Sequence, residues 1–186
     1  PLFHQSLRFM EKIISLALVL AVFSNLHAQT NIYLAAGAGV STFSAEMKDL
    51  TPVPSIGIAA KAYEKNGLSF CPALLYQQRA QTTKSPGDFK ATVRMHTLNI
   101  EGAIQYRTEP GVAFLLGYSH AINLYSSVSF RSGGDTYREK ATISDDLGLM
   151  LGLAYDADQW ALRATYKNGL VSVYDGAHSR SFFLQF

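Results

Sequence analysis

Apolar and polar residues alternate with a period of two through most of the chain, the pattern of strands whose two faces meet different surroundings. The clearest run is WALRATYK. Trp160, Leu162, Ala164 and Tyr166 share one face; Ala161, Arg163, Thr165 and Lys167 share the other. In ISDDLGLMLGLAY, Ile143, Leu147, Leu149, Leu151, Leu153 and Tyr155 stand opposite Ser144, Asp146, Gly148, Met150, Gly152 and Ala154. VAFLLGYSHAI (112–122) and TLNIEGAIQY (97–106) repeat the pattern. With segments near 31–43, 54–63, 68–80 and 180–186, the pattern predicts eight strands. EKNG (64–67), TEPG (108–111) and DADQ (156–159) read as tight turns, whereas 44–53, 81–92, 125–141 and 168–179 read as long polar loops. Short turns at one end and long loops at the other describe an all-β, eight-stranded antiparallel up-and-down meander closed into a barrel. Pro72 removes a ladder donor inside the third strand and predicts a bulge there.

The two faces decide which solvent the barrel meets. A soluble barrel turns its apolar face inward and a charged face to water. Here the second face is mostly Gly, Ala, Ser, Thr, Asn and Gln, small enough to fill a narrow lumen and too weakly charged for a water-exposed surface. The Leu/Ile/Phe face then points into lipid, giving a transmembrane barrel. Tyr106, Tyr155, Trp160 and Phe186 fall at the short-turn ends and Tyr76, Tyr118 and Tyr166 nearer the long loops, as two aromatic girdles would. The C-terminal SRSFFLQF puts Phe182, Leu184 and Phe186 on one face of a strand that must pair with the first and leave no edge in lipid. This aromatic-terminated strand is expected to serve also as the signal read by the outer-membrane assembly machinery.

The N-terminal part stands outside this pattern. Lys12 precedes an apolar stretch, Ile13 to Phe23, and LHA ending at Ala28 offers a cleavage site. Residues 10–28 therefore read as a secretory signal peptide for Sec export, too short to span a membrane as a helix. Residues 1–9 read as an upstream translated extension and 29–186 as the barrel. Such a leader fits the Gram-negative envelope and an outer-membrane location.

Charge adds little to this reading. The 16% of charged residues is low against about 25% in soluble domains, and the net charge of +2 is scattered, which excludes a nucleic-acid partner. Cys71 is the single cysteine, so no intramolecular disulfide forms. The expected lumen-facing charges are Lys61, Arg79, Glu101, Asp146, Arg163 and Lys167. A buried charge needs a partner. Counted along the strands, Lys61, Glu101 and Arg163 lie towards the periplasmic half, so Glu101 is expected to pair with Arg163 or Lys61. Arg79, Asp146 and Lys167 lie nearer the loops. With Met150 and Phe183 also pointing inward, the lumen reads as filled.

No catalytic, cofactor or metal site is expected. Ser119 and His120 are adjacent in a strand and point to opposite faces, so they form no catalytic pair, and Asp145 and Asp146 supply no evident third member. The long loops carry Lys84, Lys90, Arg131, Arg138, Lys140 and His178 against Asp88, Asp135, Glu139 and Asp175, a mildly basic rim beside outer-membrane lipid and lipopolysaccharide.

Taken in order, GLSFCPALLYQQRA, HTLNIEGAIQYR, DDLGLMLGLAYD and LRATYKNGLVSV, with the aromatic end, resemble the PorT-like small outer-membrane β-barrels over about residues 33–186. Ala73 stands where that family often has an acidic residue. The resemblance implies fold and location. It extends to function only as an association with secretion or surface assembly, because fold alone does not give activity. The expected function is a non-enzymatic barrel presenting four extracellular loops. A small, porin-like passive pore is the main rival and a lipid-active enzyme the distant one.

Overall fold

The computed structural model describes residues 31–43, 50–84, 90–109, 111–132, 135–157, 160–174 and 177–186. The expected extension and leader lie outside the described residues. The strands are β1 (Asn31–Thr42), β2 (Thr51–Lys65), β3 (Leu68–Lys84), β4 (Lys90–Glu109), β5 (Val112–Ser132), β6 (Asp135–Lys140), β7 (Asp146–Asp156), β8 (Ala161–Tyr174) and β9 (Ala177–Gln185). Each pairs antiparallel with its neighbours, β5 pairs with both β4 and β7, and β1 pairs with β9. Eight strands thus close an up-and-down barrel, while β6, among the described residues, pairs only with the far end of β5.

Closure is complete to the last residue. Phe186 N–H donates to the Ala36 carbonyl at 2.7 Å and Ala36 N–H donates to the Phe186 carbonyl at 2.9 Å. In lipid an unpaired edge would cost several kcal/mol per group, so this last pair matters. The strands are strongly staggered. From Gly37, the ladder runs one way through Ser55, Gln77 and Thr97 to Asn123, and the other way through Gln185, Arg163 and Ala154 to Ala113, ten residues lower on β5. That stagger tilts the strands by about 35–45°.

Side-chain alternation follows the sequence pattern. Leu34 (88% exposed), Ile56, Leu116, Leu151 and Leu184 lie on the outer face, and Arg79, Gln77, Asn99 and Phe183 lie buried inside. An exposed apolar face around a buried polar interior is the inverse of a soluble protein, and it places the barrel wall in lipid. Small residues make the narrow interior workable. A Cβ on Gly39 would lie 2.6 Å from the ring of Phe183, so that glycine is what lets Phe183 turn inward.

Four sequence expectations are corrected. The bulge lies on β2, between Ala62 and Lys65, where Tyr63 takes a positive φ of 50°. β3 runs in unbroken register with β4 past the Pro72–Gly102 pair, because the missing N–H faces β2 and removes a bond without displacing the strand. Next, 81–92 and 125–141 are largely strand rather than loop. Thr82–Thr92 and Val128–Glu139 are cross-strand partners, and this β-branched alternation carries β3, β4, β5 and β6 well beyond the closed barrel. β8 and β9 likewise reach into 168–179, to Tyr174 and from Ala177. Finally, β7 begins at Asp146, not Ile143. Ile143 turns inward to pack with Phe43 and Met95, and its carbonyl accepts the Asn123 side-chain amide.

β2 also carries Pro52 and Pro54, which pair with Val40 and Ala38 of β1. On their other side the β2–β3 ladder stops at Ser55–Gln77 and resumes only as a bridge at Leu50–Gln81. Ser41 bridges the opening: its Oγ accepts Ala80 N–H at 2.8 Å and donates to the Ala80 carbonyl at 2.9 Å.

Candidate functional site: the lumen and the projecting sheet

The lumen is organised as stacked charged groups. Near the outer end, Arg79 on β3 pairs with Asp146 at the start of β7. Its guanidinium also donates to Ser179 Oγ at 2.8 Å and to Asn99 Oδ1 at 3.0 Å. Asn99 donates to Thr97, which donates to the Gln77 carbonyl. Below this group, Lys167 on β8 pairs with Glu101 on β4 and donates to Gln77 Oε1 at 3.1 Å; its ammonium lies 4.9 Å from the centre of the Phe183 ring. At the inner end Asp156 is the hub. It accepts from Lys61 at 3.0 Å and Gln105 at 2.5 Å, with Arg107 at 3.7 Å, while Glu64 binds both Lys61 and Arg107. Cys71 points inward and donates to Gln105. Above the Arg79 group, Phe43, Met95 and Ile143 form an apolar cap.

All six predicted lumen charges sit on the inward face, but the pairing differs from expectation. Glu101 pairs with Lys167 rather than with Arg163 or Lys61. Position counted from a strand end does not give height in a tilted barrel, so the ten-residue stagger brings residues from different expected halves to one level. Lys61 pairs with Asp156, which the sequence reading had left in the DADQ turn. Arg163 is half-buried and makes no ion pair among the described residues.

Of the predicted girdle, Tyr155, Trp160 and Phe186 form one stack, with ring centres 5.7 and 5.8 Å apart. Tyr106 is exposed beside the β4–β5 turn and Tyr166 is half-buried opposite Leu151 and Phe182. Tyr118 does not stand at the rim. It lies in the apolar face against Gly102, in the space a Cβ there would occupy. Phe182, Leu184 and Phe186 share the exposed outer face. Ser119 is buried and His120 lies on the outer face, as their adjacency requires.

Sequence reasoning missed the order on the projecting sheet. Direct cross-strand partners share a face. The rows Arg94–Ser127–Lys140, Thr92–Ser129–Arg138 and Lys90–Arg131–Thr136 therefore gather five cations on the outward face of β4, β5 and β6. Among the described residues of that extension no carboxylate shares the face; Asp135 and Glu139 lie on the other. There Tyr137 donates to Glu139 Oε1 at 3.0 Å, which raises the phenol pKa by holding its proton. Arg138 binds Ser127 Oγ at 3.0 Å and lies 5.9 Å from the Tyr125 ring. Tyr125 in turn packs on His96, and His96 on Tyr76, with Tyr76 Oη 2.5 Å from His96 Nδ1. This aromatic ladder lies directly below the basic rows.

Fold and lumen define a class: a closed transmembrane β-barrel of eight strands with a packed, ion-paired interior. No family model and no curated protein sequence matches the chain. Among solved structures it is similar to Ail, the attachment invasion locus protein of Yersinia pestis, in complex with the heparin analogue sucrose octasulfate, at 13% identity over 85% of this chain and 99% of that one, TM-score 0.49. It is similar to Neisserial surface protein A at 19% identity over 84% and 96%, TM-score 0.49. It is also similar to the N-terminal β-barrel domain of Pseudomonas aeruginosa OprF at 13% identity over 85% and 98%, TM-score 0.36.

Proposed function

We propose that the protein is a non-enzymatic barrel of the bacterial outer membrane whose working surface is the projecting sheet. The observation that carries this reading is the row of Lys90, Arg94, Arg131, Arg138 and Lys140 on one face, with no carboxylate on that face among the described residues of the sheet, set above the Tyr76–His96–Tyr125 ladder. Amphipathic aromatics mark the lipid boundary, so the cations stand at head-group height. Arginine and lysine there suit phosphate, and the phosphorylated lipopolysaccharide around the barrel supplies it. Signal-directed export, recognition of Phe182, Leu184 and Phe186 by the assembly machinery, and a PorT-like association with secretion or surface assembly complete the reading. The stacked ion pairs and apolar cap support a structural lumen rather than a passive pore.

The test compares thermal unfolding of the barrel in neutral phosphatidylcholine bilayers with and without lipid A. Lipid A should raise the midpoint for the wild type by preferential binding to the folded barrel, and salt near 1 M should erase the increment. The triple variant Arg94→Gln, Arg131→Gln, Arg138→Gln should keep its midpoint in neutral lipid and lose the increment. An unchanged increment in that variant would refute the assignment.

A further inference from the structure

The lumen is not filled uniformly. Between the Glu101–Lys167 pair and the Asp156 hub lies a cavity of about 300 Å³, at the lower end of the range for small-molecule sites. Its inner lining is mostly apolar, with Ala73, Leu75, Ala103, Leu115 and Met150, and also takes in Cys71, Gln185 and Glu101, whose charge Lys167 meets. Two polar side chains enter it with bonding capacity unused among the described residues. Arg163 makes no close ion pair there, although its charge reaches Asp156 through space. Thr165 is 2% exposed, and its buried Oγ1 has no hydrogen bond.

The cavity reaches the outer face. Its lining includes Tyr33 and Ala35 on the inward face of β1 and also Ile32 and Leu34 on the outward face, together with Trp160 and Phe186. Continuous strands would prevent this. β1 pairs with the final strand only from Ala36 upward, whereas β1 continues down to Asn31 and β8 down to Ala161. Among the described residues, no ladder joins Asn31–Ala35 to Ala161–Leu162. The wall is notched there, and the rim of the notch is apolar.

Charge selects the occupant. The ion-paired lumen groups comprise Lys61, Arg79, Arg107 and Lys167 against Glu64, Glu101, Asp146 and Asp156, which balance. Arg163 is left over, so the lumen has room for one negative charge. A monoanionic carboxylate matches it and the Arg fork accepts it; a phosphate would bring more charge than this site balances. The volume is about twice that of a cavity that takes benzene, room for a chain of roughly ten carbons. From these features we infer that the notch admits a fatty acid from the membrane, with its carboxylate on Arg163 and Thr165 Oγ1 and its chain among Ala73, Leu115 and Met150. This inference is independent of the role assigned to the basic sheet.

The test uses the full chain in nanodiscs with a diazirine-bearing decanoate, its adducts mapped by peptide mass spectrometry. Labelling should saturate at one per barrel and fall on lumen residues of β3, β4, β5 and β7. Decanoate should compete at least about tenfold better than decyltrimethylammonium, the difference one charge-assisted hydrogen-bonded pair supplies. Arg163→Gln should erase that preference. Ala73→Phe, or Ala103→Phe should the first not fold, should abolish lumen labelling in a barrel that still shows heat-modifiable migration. Labelling confined to outer-face residues, or equal competition by both amphiphiles in the wild type, would overturn the inference. So would lumen labelling that requires prior removal of residues 1–30, which would assign the cavity to the chain's own N-terminal segment.

Discussion

At the scale of single residues, the pair Glu101–Lys167 shows why the interior tolerates charge at all. Both groups are almost wholly buried, and Lys167 also donates to Gln77 and faces the Phe183 ring. Removing one partner strands the other in a medium that solvates it poorly. Glu101→Ala is expected to destabilise the barrel by roughly 3–5 kcal/mol, read as a lower urea midpoint in lipid vesicles. Adding Lys167→Met should recover most of that loss, because the second substitution removes the stranded charge. If the double variant is as unstable as the single, the pair does not act as a unit and the ion-pair account of the lumen fails. Arg79 is held differently, by Asp146, Ser179 and Asn99 together, so its replacement affects three strands besides its own.

At the scale of elements, strand identity was legible in the chain because lipid and lumen impose opposite demands on alternate residues. Leu147, Leu149, Leu151 and Leu153 could face only one way. Strand length was harder to read. The Thr, Ser and Val of 81–84, 90–95 and 126–130 look like loop by polarity, yet they pair as strand because both faces of the projecting sheet leave the lipid. The same shift from lipid to water hid the basic face, whose cations share a side only through the β4–β5 and β5–β6 registers. The lumen charges were legible as a set, since each sits at an inward position. Their partners were not, because tilt mixes heights and because Asp156 was assigned to a turn. The last strand raises its own question, whether Phe186 acts in packing or in assembly. Phe186→Ala and Leu184→Ala remove similar area from one exposed face, about 1.5–3 kcal/mol each. If Phe186 belongs to an assembly signal, its variant should reach the outer membrane far less than the Leu184 variant while both refold equally from urea into detergent. Equal membrane yields would reduce Phe186 to packing.

At the scale of the whole molecule, the barrel is a wall turned inside out, with an apolar exterior and an ion-paired core closed at its outer end by Phe43, Met95 and Ile143. The account places function on the sheet that rises from β3 to β6 and gives the ion-paired lumen a structural role, with the cavity beside Arg163 opening sideways rather than through. The most direct measurement is single-channel recording of the purified protein in planar bilayers at neutral pH. The predicted result is a quiet membrane, without stepwise conductance, for the wild type. Stable wild-type steps whose size or ion selectivity changes with Arg79→Gln or Lys167→Gln would contradict it, for those residues would then line a path that ions use.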